Sequence, residues 1–387
     1  MRRILVVSNI PTPNNDALFA QLTRQPGVDL RVVYGAAREA NRAWRLVDEK
    51  AYAYDVLPGW TLAGSAHVNP RVLRALRSFR PDVAVLSGSY TMPTVQLAAA
   101  ALHARGTPWL FWGEELAYND APATVRSGRA LLRRVLRRAR GVLAIGSRAC
   151  ASYVRAGVAT ERVTDFRYYA DTDRFALPDP ARLEARAAVR ASLGIADAAF
   201  AVLYCGQLIV RKGVDTLLRA VHRLPSPDGR PPASVLLAGD GPERPALEAL
   251  AEELGIRDRV HFMGFHQPDA LPRVFAAADT FVLPSHAEGW GVVVPEAMAA
   301  GLPVFASDRV NAAADLVRDG ENGGRFVAGD DARLADWLRA VLCDPSRRET
   351  MANAARAAVR CETPAYAARR MVSLLDAATA RRPLRGL

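Results

Sequence analysis

Two glutamates in the segment HAEGWGVVVPEAMAAGLPVFAS, Glu288 and Glu296, are separated by seven residues, with Gly289 and Gly291 just after the first. Proline is favoured at the first position of a helix, so Pro295 predicts a helix running to about Ala300 with Glu296 in its first turn. The backbone amides of Val292, Val293 and Val294 and that helix start then suit a phosphate or diphosphate. A carboxylate facing such a group would repel it. The useful task for the glutamates is to accept hydrogen bonds from hydroxyls further along the ligand, and sugar hydroxyls are suitable donors. For two arbitrary glutamates a dipole-favouring helix residue and a solvated loop residue are the commoner outcome, and it is the surrounding loop that singles out this pair.

Two further segments belong with it. In GQLIVRKGVDTLLRA a strand ends near Gly206, a helix starts around Gly213, and Arg211 and Lys212 stand between them. Adjacent cations before a helix start suit a diphosphate and its departing charge, whereas a charged loop taken alone is usually just solvated. Lys212 stands out because the chain has only two lysines, the other being Lys50, in an arginine-rich and alanine-rich composition that looks like the coding bias of a GC-rich genome. The segment SVLLAGDGPERPALEALAEELG offers Gly239 and Gly241 between a strand and a helix, but Arg244 at the third glycine position breaks the GxGxxG dinucleotide fingerprint.

These residues need a scaffold, and the chain supplies one twice. Apolar and β-branched runs at Ile4–Ser8, Asp29–Tyr34, Asp82–Ser87, Pro108–Trp112 and Gly141–Gly146 alternate with helical patterns such as 94–105 and 125–140. A second series restarts at Phe200–Gly206 and continues through Ser234–Gly239, Arg259–Gly264, Thr280–Pro284 and Leu302–Ser307. Polar, proline-bearing sequence near 170–198 separates the series. The expectation is an α/β chain of two similar domains with a cleft between them: 1–175, 176–363, and a C-terminal helical segment 364–387 packing back toward the first domain. A length of 387 residues suits two such domains, each able to bury its own core.

In this order and at these distances the three segments resemble the donor-sugar half of family 4 glycosyltransferases, retaining enzymes of the GT-B fold with two Rossmann-like domains. The resemblance runs from about Phe200 to Val327, including the DGENG turn at Asp319–Gly323, and before residue 165 is mostly one of layout. It implies that Glu296 holds the ribose of a nucleotide, that Glu288 contacts hydroxyls of the transferred sugar, and that Lys212 with Arg211 holds the diphosphate. It further implies that Gly289 and Gly291 admit the ligand close to the backbone, with Gly206, Gly239, Gly241 and the segment from Met263 to Phe265 lining the nucleotide.

The chain departs from the family pattern in three places. Gln207 stands where the family often has arginine, so Arg211 supplies part of that charge. The first-domain loop SNIPTPNNDALF has no glycine and presents Asn14, Asn15 and Asp16 instead. Where many relatives place a histidine the chain reads FWGEE, which makes Glu114 a candidate general base or acceptor-orienting group beside Glu115, although a solvated loop carboxylate is the commoner outcome.

Composition bounds the rest. The balance of 51 basic against 40 acidic residues, +11, favours anionic partners such as nucleotides, lipid headgroups or nucleic acid. No recognition-helix pattern and no basic stripe interleaved with aromatics supports nucleic acid. The four cysteines are far apart without CxxC spacing, the histidines show no HxxxH pairing, and Asp171–Thr172–Asp173 resembles a family turn rather than a metal-holding DxD, so no metal and no cofactor is expected. No run reaches transmembrane length and the N-terminus does not read as a secretory signal, so a cytoplasmic setting is expected. The stretch 126–140 carries seven arginines around an apolar stripe of Leu132, Val135, Leu136 and Ala139, a form that could also lie on an anionic membrane. The expected activity is transfer of a hexose, with retention, from a nucleotide diphosphate sugar (UDP-sugar first, GDP-mannose next) to a hydroxyl of a glycan, lipid-linked sugar or small molecule. The alternatives are a nucleotide-sugar epimerase or hydrolase of the same fold, and a basic nucleic-acid-binding protein.

Overall fold

The apolar run after Arg3 forms β1 (Arg2–Ser8), buried from Ile4 onward as a central parallel strand must be. In the computed structural model, which describes residues 1–38, 49–62, 66–116, 129–130, 133–225 and 232–386, β1 is followed by α1 (Pro13–Thr23). Thr12 caps α1 by accepting a hydrogen bond from the Asn15 N–H, and Pro13 pre-sets its first turn. Then come β2 (Val28–Tyr34), β3 (Ala53–Val56), β4 (Trp60–Leu62), β5 (Ala66–Val68), α2 (Val72–Phe79), β6 (Val83–Ser87), α3 (Pro93–Ala104), β7 (Trp109–Gly113), β8 (Gly141–Ala144), α4 (Ser147–Arg155) and β9 (Val163–Asp165). The sheet order is β3-β2-β1-β6-β7-β8-β9 with every pair parallel, and β4 and β5 form a separate antiparallel hairpin.

Period-two alternation divides the strands between two faces. Leu5, Val7, Leu86 and Phe111 point to the face covered by Val72 and Leu76 of α2, Val95 and Leu102 of α3, and Val135 and Leu136 of a 3-10 turn at Arg134–Arg137. The helix expected over 125–140 is corrected by that turn. Residues 129, 130 and 133 are helical before it, β8 begins at Gly141, and 125–128 and 131–132 lie outside the described residues.

At the edge of this sheet the other lysine is buried. Lys50, with a side chain 2% exposed, pairs with Asp16 in the first turn of α1 at 2.5 Å. Asp16 also accepts a hydrogen bond from the Tyr52 hydroxyl, which lies 2.6 Å from that of Tyr34. Burial raises both tyrosines well above the ordinary phenol range, so they stay neutral donors.

The second unit spans Ala170–Thr363. It opens with α5 (Thr172–Phe175) and α6 (Asp179–Ser192), so the stretch read from its prolines as a boundary is helical and belongs to this unit. Arg190 of α6 is 2% exposed and donates to the carbonyls of Ala277, Asp197 and Ala199 and to the Asp279 carboxylate, all within 2.9 Å. A buried guanidinium needs that many acceptors.

There follow β10 (Ala201–Cys205), α7 (Val214–His222), β11 (Ser234–Ala238), α8 (Arg244–Glu253), β12 (Val260–Gly264), α9 (Leu271–Ala276), β13 (Thr280–Leu283), α10 (Val293–Ala299), β14 (Val304–Ser307), α11 (Asn311–Leu316), β15 (Gly323–Phe326), α12 (Asp331–Cys343) and α13 (Pro345–Val359). The order β12-β11-β10-β13-β14-β15 is the doubly wound arrangement, whose direction reverses between β10 and β13. Strand β15 was not expected. Its sequence GGRF has no apolar run, because a Cβ at Gly323 would sit 1.9 Å from the Val304 carbonyl oxygen and one at Gly324 would sit 2.3 Å from the Trp337 ring.

Helix α14 (Pro364–Thr379) returns to the first unit, which comprises Met1–Tyr169 and Pro364–Leu387. It packs on α1, Arg370 reaches the Tyr169 hydroxyl at 3.1 Å, and Arg2 pairs with Asp376. Beyond it the fully buried Leu384 occupies the space beside Gly141, where a Cβ would be 2.0 Å from its methyl carbon.

Candidate active site

In an open parallel sheet ligands bind beyond the carboxyl ends of the strands where the winding reverses. In the second unit that place is the gap between the loop after β10 and the loop after β13. The first holds Gly206, Gln207, Arg211 and Lys212, the second Glu288, Gly289 and Gly291.

Lys212 ends a 3-10 turn over Val210–Lys212, and Gly213 then takes the left-handed conformation at φ 61° before α7. A Cβ at Gly213 would approach the Pro284 carbonyl oxygen to 2.5 Å, which ties this turn to the end of β13. The Arg211 carbonyl accepts from the His286 N–H at 2.8 Å, and the Arg211 guanidinium donates to the Ala287 carbonyl at 2.5 Å. The two loops are thus laced together, and the Lys212 ammonium pairs directly with the Glu288 carboxylate, both side chains 13% exposed. Arg211, 4.0 Å from the same carboxylate, keeps an exposed side chain. Lys212 and Glu288 lie 76 positions apart, and nothing local in the sequence announces their contact.

Helix α10 begins at Val293, so Pro295 stands at its third position rather than its first. The expected helix start is corrected by two residues. Gly291, at φ 93°, turns the chain into the helix early, and a proline anywhere in the first turn forfeits no intrahelical bond. The early start engages one expected anion donor, because the Val294 N–H donates to the Gly291 carbonyl at 2.9 Å. The Val292 and Val293 amides have no such backbone partner among the described residues, and both residues are half-buried. Gly289 is fixed from behind by Asn311, whose side-chain amide donates to its carbonyl at 2.9 Å.

Glu296 lies in the first turn of α10 and retains some accessible surface. Burial pushes its carboxyl up to about 8, Arg174 of α5 opposes this, and Asp171 adds to it. Helix α5 packs on α10, and Arg174 also donates to the Pro268 carbonyl at 2.8 Å. Cys205, the last residue of β10, has its thiol pushed up to about 12, first by burial and next by Glu296. Cys205, Asp171 and Arg174 are neighbours of Glu296 that the sequence reading missed. The only available signal was that Cys205 precedes the glycine ending the first strand of the series.

Gly239 and Gly241 are glycine for a reason internal to the loops. A Cβ at Gly239 would lie 1.8 Å from the Gly206 carbonyl oxygen, and one at Gly241 would lie 2.3 Å from that of Leu208. Gln207 is half-buried, and its carbonyl accepts from the Tyr204 hydroxyl at 2.7 Å. Met263 is half-buried in β12, and Phe265, just beyond it, is 44% exposed. Glu114 and Glu115 follow β7 in the first unit with exposed side chains, the Glu114 carbonyl accepting from the Tyr153 hydroxyl. Asp171–Thr172–Asp173 forms the start of α5, and no cluster of metal-ligating side chains occurs among the described residues. A cavity of about 360 Å³ opens beside the 209–214 loop, between α7 and α8, lined by Val210, Leu247, Leu250 and His286 and touching neither glutamate.

Residues 185–358 match the family model for glycosyl transferases group 1. The chain is 36% identical over 222 residues to a D-inositol 3-phosphate glycosyltransferase of Xylanimonas cellulosilytica, which covers 56% of this chain and 51% of that protein. It is 35% identical over 221 residues to an alpha-D-kanosaminyltransferase of Streptomyces kanamyceticus, covering 57% and 55%. The chain thus spans about half the length of the curated relatives it matches. Among solved structures, Anabaena HepE in complex with UDP superposes with a TM-score of 0.78 at 20% identity over 97% of this chain and 100% of that one. Sucrose-phosphate synthase of Thermosynechococcus elongatus gives 0.74 at 20% identity over 98% and 100%. At such identities the likeness speaks to architecture, and the architecture is GT-B: two Rossmann-like units.

Proposed function

Because residues 185–358 match the family model for glycosyl transferases group 1, we propose that the chain is a retaining glycosyltransferase of that family. It moves a hexose from a nucleotide diphosphate sugar, UDP-linked in first place and GDP-mannose in second, to an acceptor hydroxyl. The observation that carries this is the meeting of Lys212, Arg211 and Glu288 at the point where the second sheet reverses direction, beside the amides of Val292 and Val293.

In this reading the Lys212 ammonium exchanges part of its bond to Glu288 for the diphosphate, with Arg211 beside it. Charge gathers on that diphosphate as the glycosidic bond breaks, and fixed cations with amide donors stabilise it at the moment it forms. Glu288, partly released, accepts from hydroxyls of the transferred sugar, and Glu296 accepts from those of the ribose. Phe265 offers an exposed ring for the base. The cations carry the leaving charge in this scheme, so binding is expected to survive a chelator. The acceptor is a hydroxyl of a glycan, a lipid-linked sugar or a small molecule, oriented by the first unit, where Glu114 is the candidate base.

The deciding experiment is calorimetry of the purified chain against UDP, GDP, ADP and TDP, each with and without chelator, repeated on Glu296→Ala. Selective micromolar binding of one diphosphate, unchanged by chelator and weakened in the variant, is the expected result. Binding of none overturns the reading. Nucleotide release from donor alone at the full rate assigns the site to a hydrolase or epimerase of the same fold instead.

A further inference from the structure

The cavity between α7 and α8 is used by none of the donor-site residues. Its volume of about 360 Å³ lies at the small end of the range for organic ligands. The floor is apolar: Val214 and Leu247 are buried, Ile209 and Leu250 are half-buried, and Val210 at the rim is 70% exposed. Two carboxylates stand over this floor, Asp215 in the first turn of α7 and Glu243 just before α8, both on half-buried residues.

Neither carboxylate has an ion-pair or hydrogen-bond partner among the described residues, in a chain whose net charge is +11. The cations close by in sequence are committed elsewhere: Arg211 and Lys212 to Glu288, Arg223 to Asp331, and Arg244 to Glu248. Arg219 follows Asp215 by four residues on α7, the spacing at which an acid and a base usually pair, yet no ion pair joins them. Arg219 and His286, the basic residues of the lining, are both exposed and can turn to water, so the charge held over the floor is negative. A half-buried carboxylate without a partner is costly, and a ligand that brings a cation removes the cost. An anionic ligand would meet two like charges, and a neutral one would leave both carboxylates unpaired.

We propose that this cavity binds an organic ammonium ion with an apolar body, the nitrogen donating to Asp215 and Glu243 and the body lying on Val214, Leu247 and Leu250. The occupant is fixed by the negative charge and the apolar floor together. The cavity touches neither Glu288 nor Glu296, so the ammonium ion and a nucleotide do not compete, and the site stands whether or not the second unit takes a nucleotide. Val210 belongs to the 3-10 turn that also holds Arg211 and Lys212, so the occupant lies against the segment that carries those cations.

The test is a ligand-detected NMR titration of the full chain at pH 7 with 2-phenylethylamine, 2-phenylethanol and 3-phenylpropionate, which share a body and differ in charge. It is run on wild type, on Asp215→Asn/Glu243→Gln, and on Ala246→Trp, which places a ring in the cavity from an exposed position. The amine is expected to bind wild type at millimolar concentration, as suits so small a probe, at least about tenfold more tightly than the alcohol, and the acid not at all. The double variant should bind amine and alcohol alike, and Ala246→Trp should bind neither. Saturating UDP should leave the amine bound. Circular dichroism reports whether the variants are folded. Absence of amine binding to wild type, equal binding of the three probes, tighter binding of the acid, or amine binding unchanged in either folded variant overturns the proposal. So does displacement of the amine by UDP, or a dimer by light scattering that Ala246→Trp dissolves.

Discussion

Raising the pH from 7 to 9 is expected to tighten UDP binding about tenfold through one group, Glu296. Burial places its carboxyl at about 8, so at pH 7 only about one molecule in eleven carries the carboxylate that ribose hydroxyls need as acceptor. Recruiting that minority form costs about 1.4 kcal/mol at pH 7 and nothing on the alkaline plateau. Calorimetric titration between pH 6.5 and 9.5 should give an affinity that rises about tenfold per pH unit below 8 and flattens above it. The terminal phosphate of UDP is already largely ionised over most of this range and contributes little. Glu296→Gln, which cannot ionise, should bind weakly with a flat profile. A flat wild-type profile, or the same slope in the variant, would refute the link between this carboxyl and the nucleotide. Stability carries the same shift with a definite sign. The folded pKa lies above the ordinary 4.5, so the contribution is fully present below pH 4.5 and is lost as pH rises through 8. Glu296→Gln should therefore gain stability relative to wild type between pH 6 and 9 in urea melts.

Lys212→Ala removes the partner of Glu288 and the proposed diphosphate cation together, and should weaken UDP by about 2–3 kcal/mol while changing uridine affinity little, read in the same calorimeter. Gly239→Ala forces a Cβ to 1.8 Å from the Gly206 carbonyl oxygen and should lower stability by at least about 3 kcal/mol, seen as a fall in Tm or loss of soluble protein. Lys50→Met leaves the Asp16 carboxylate without its cation at a buried site, for a loss of about 3 kcal/mol in urea unfolding. UDP binding by the second unit should be unaltered in folded Lys50→Met.

The elements legible in the sequence were those that bury an apolar run. Strands such as Ile4–Val7 and Val235–Ala238 lie between covered faces and must be apolar throughout, which is the pattern a reader can see. β15 was invisible because close approach of neighbours demands glycine there, and β3 because all of Ala53–Val56 is exposed at an edge. At the site, residue types were legible but their contacts were not. Glu288 and Lys212 could each be singled out, whereas their ion pair depends on two loops meeting at the carboxyl ends of adjacent strands. The α10 start was misplaced because proline is acceptable anywhere in a first turn, and Gly291, rather than Pro295, sets where the turn begins. Arg174 and Asp171 acquire their bearing on Glu296 only through packing of α5 on α10.

The return of α14 to the first unit has a consequence for synthesis. The ribosome delivers Met1–Tyr169 before the second unit, yet α1 lacks its packing partner and Gly141 its covering leucine until Pro364–Leu387 emerges. The second unit is contiguous and lacks nothing once Thr363 is clear. The unit that is begun earlier is therefore completed later, and it holds apolar surface open while the second unit is made.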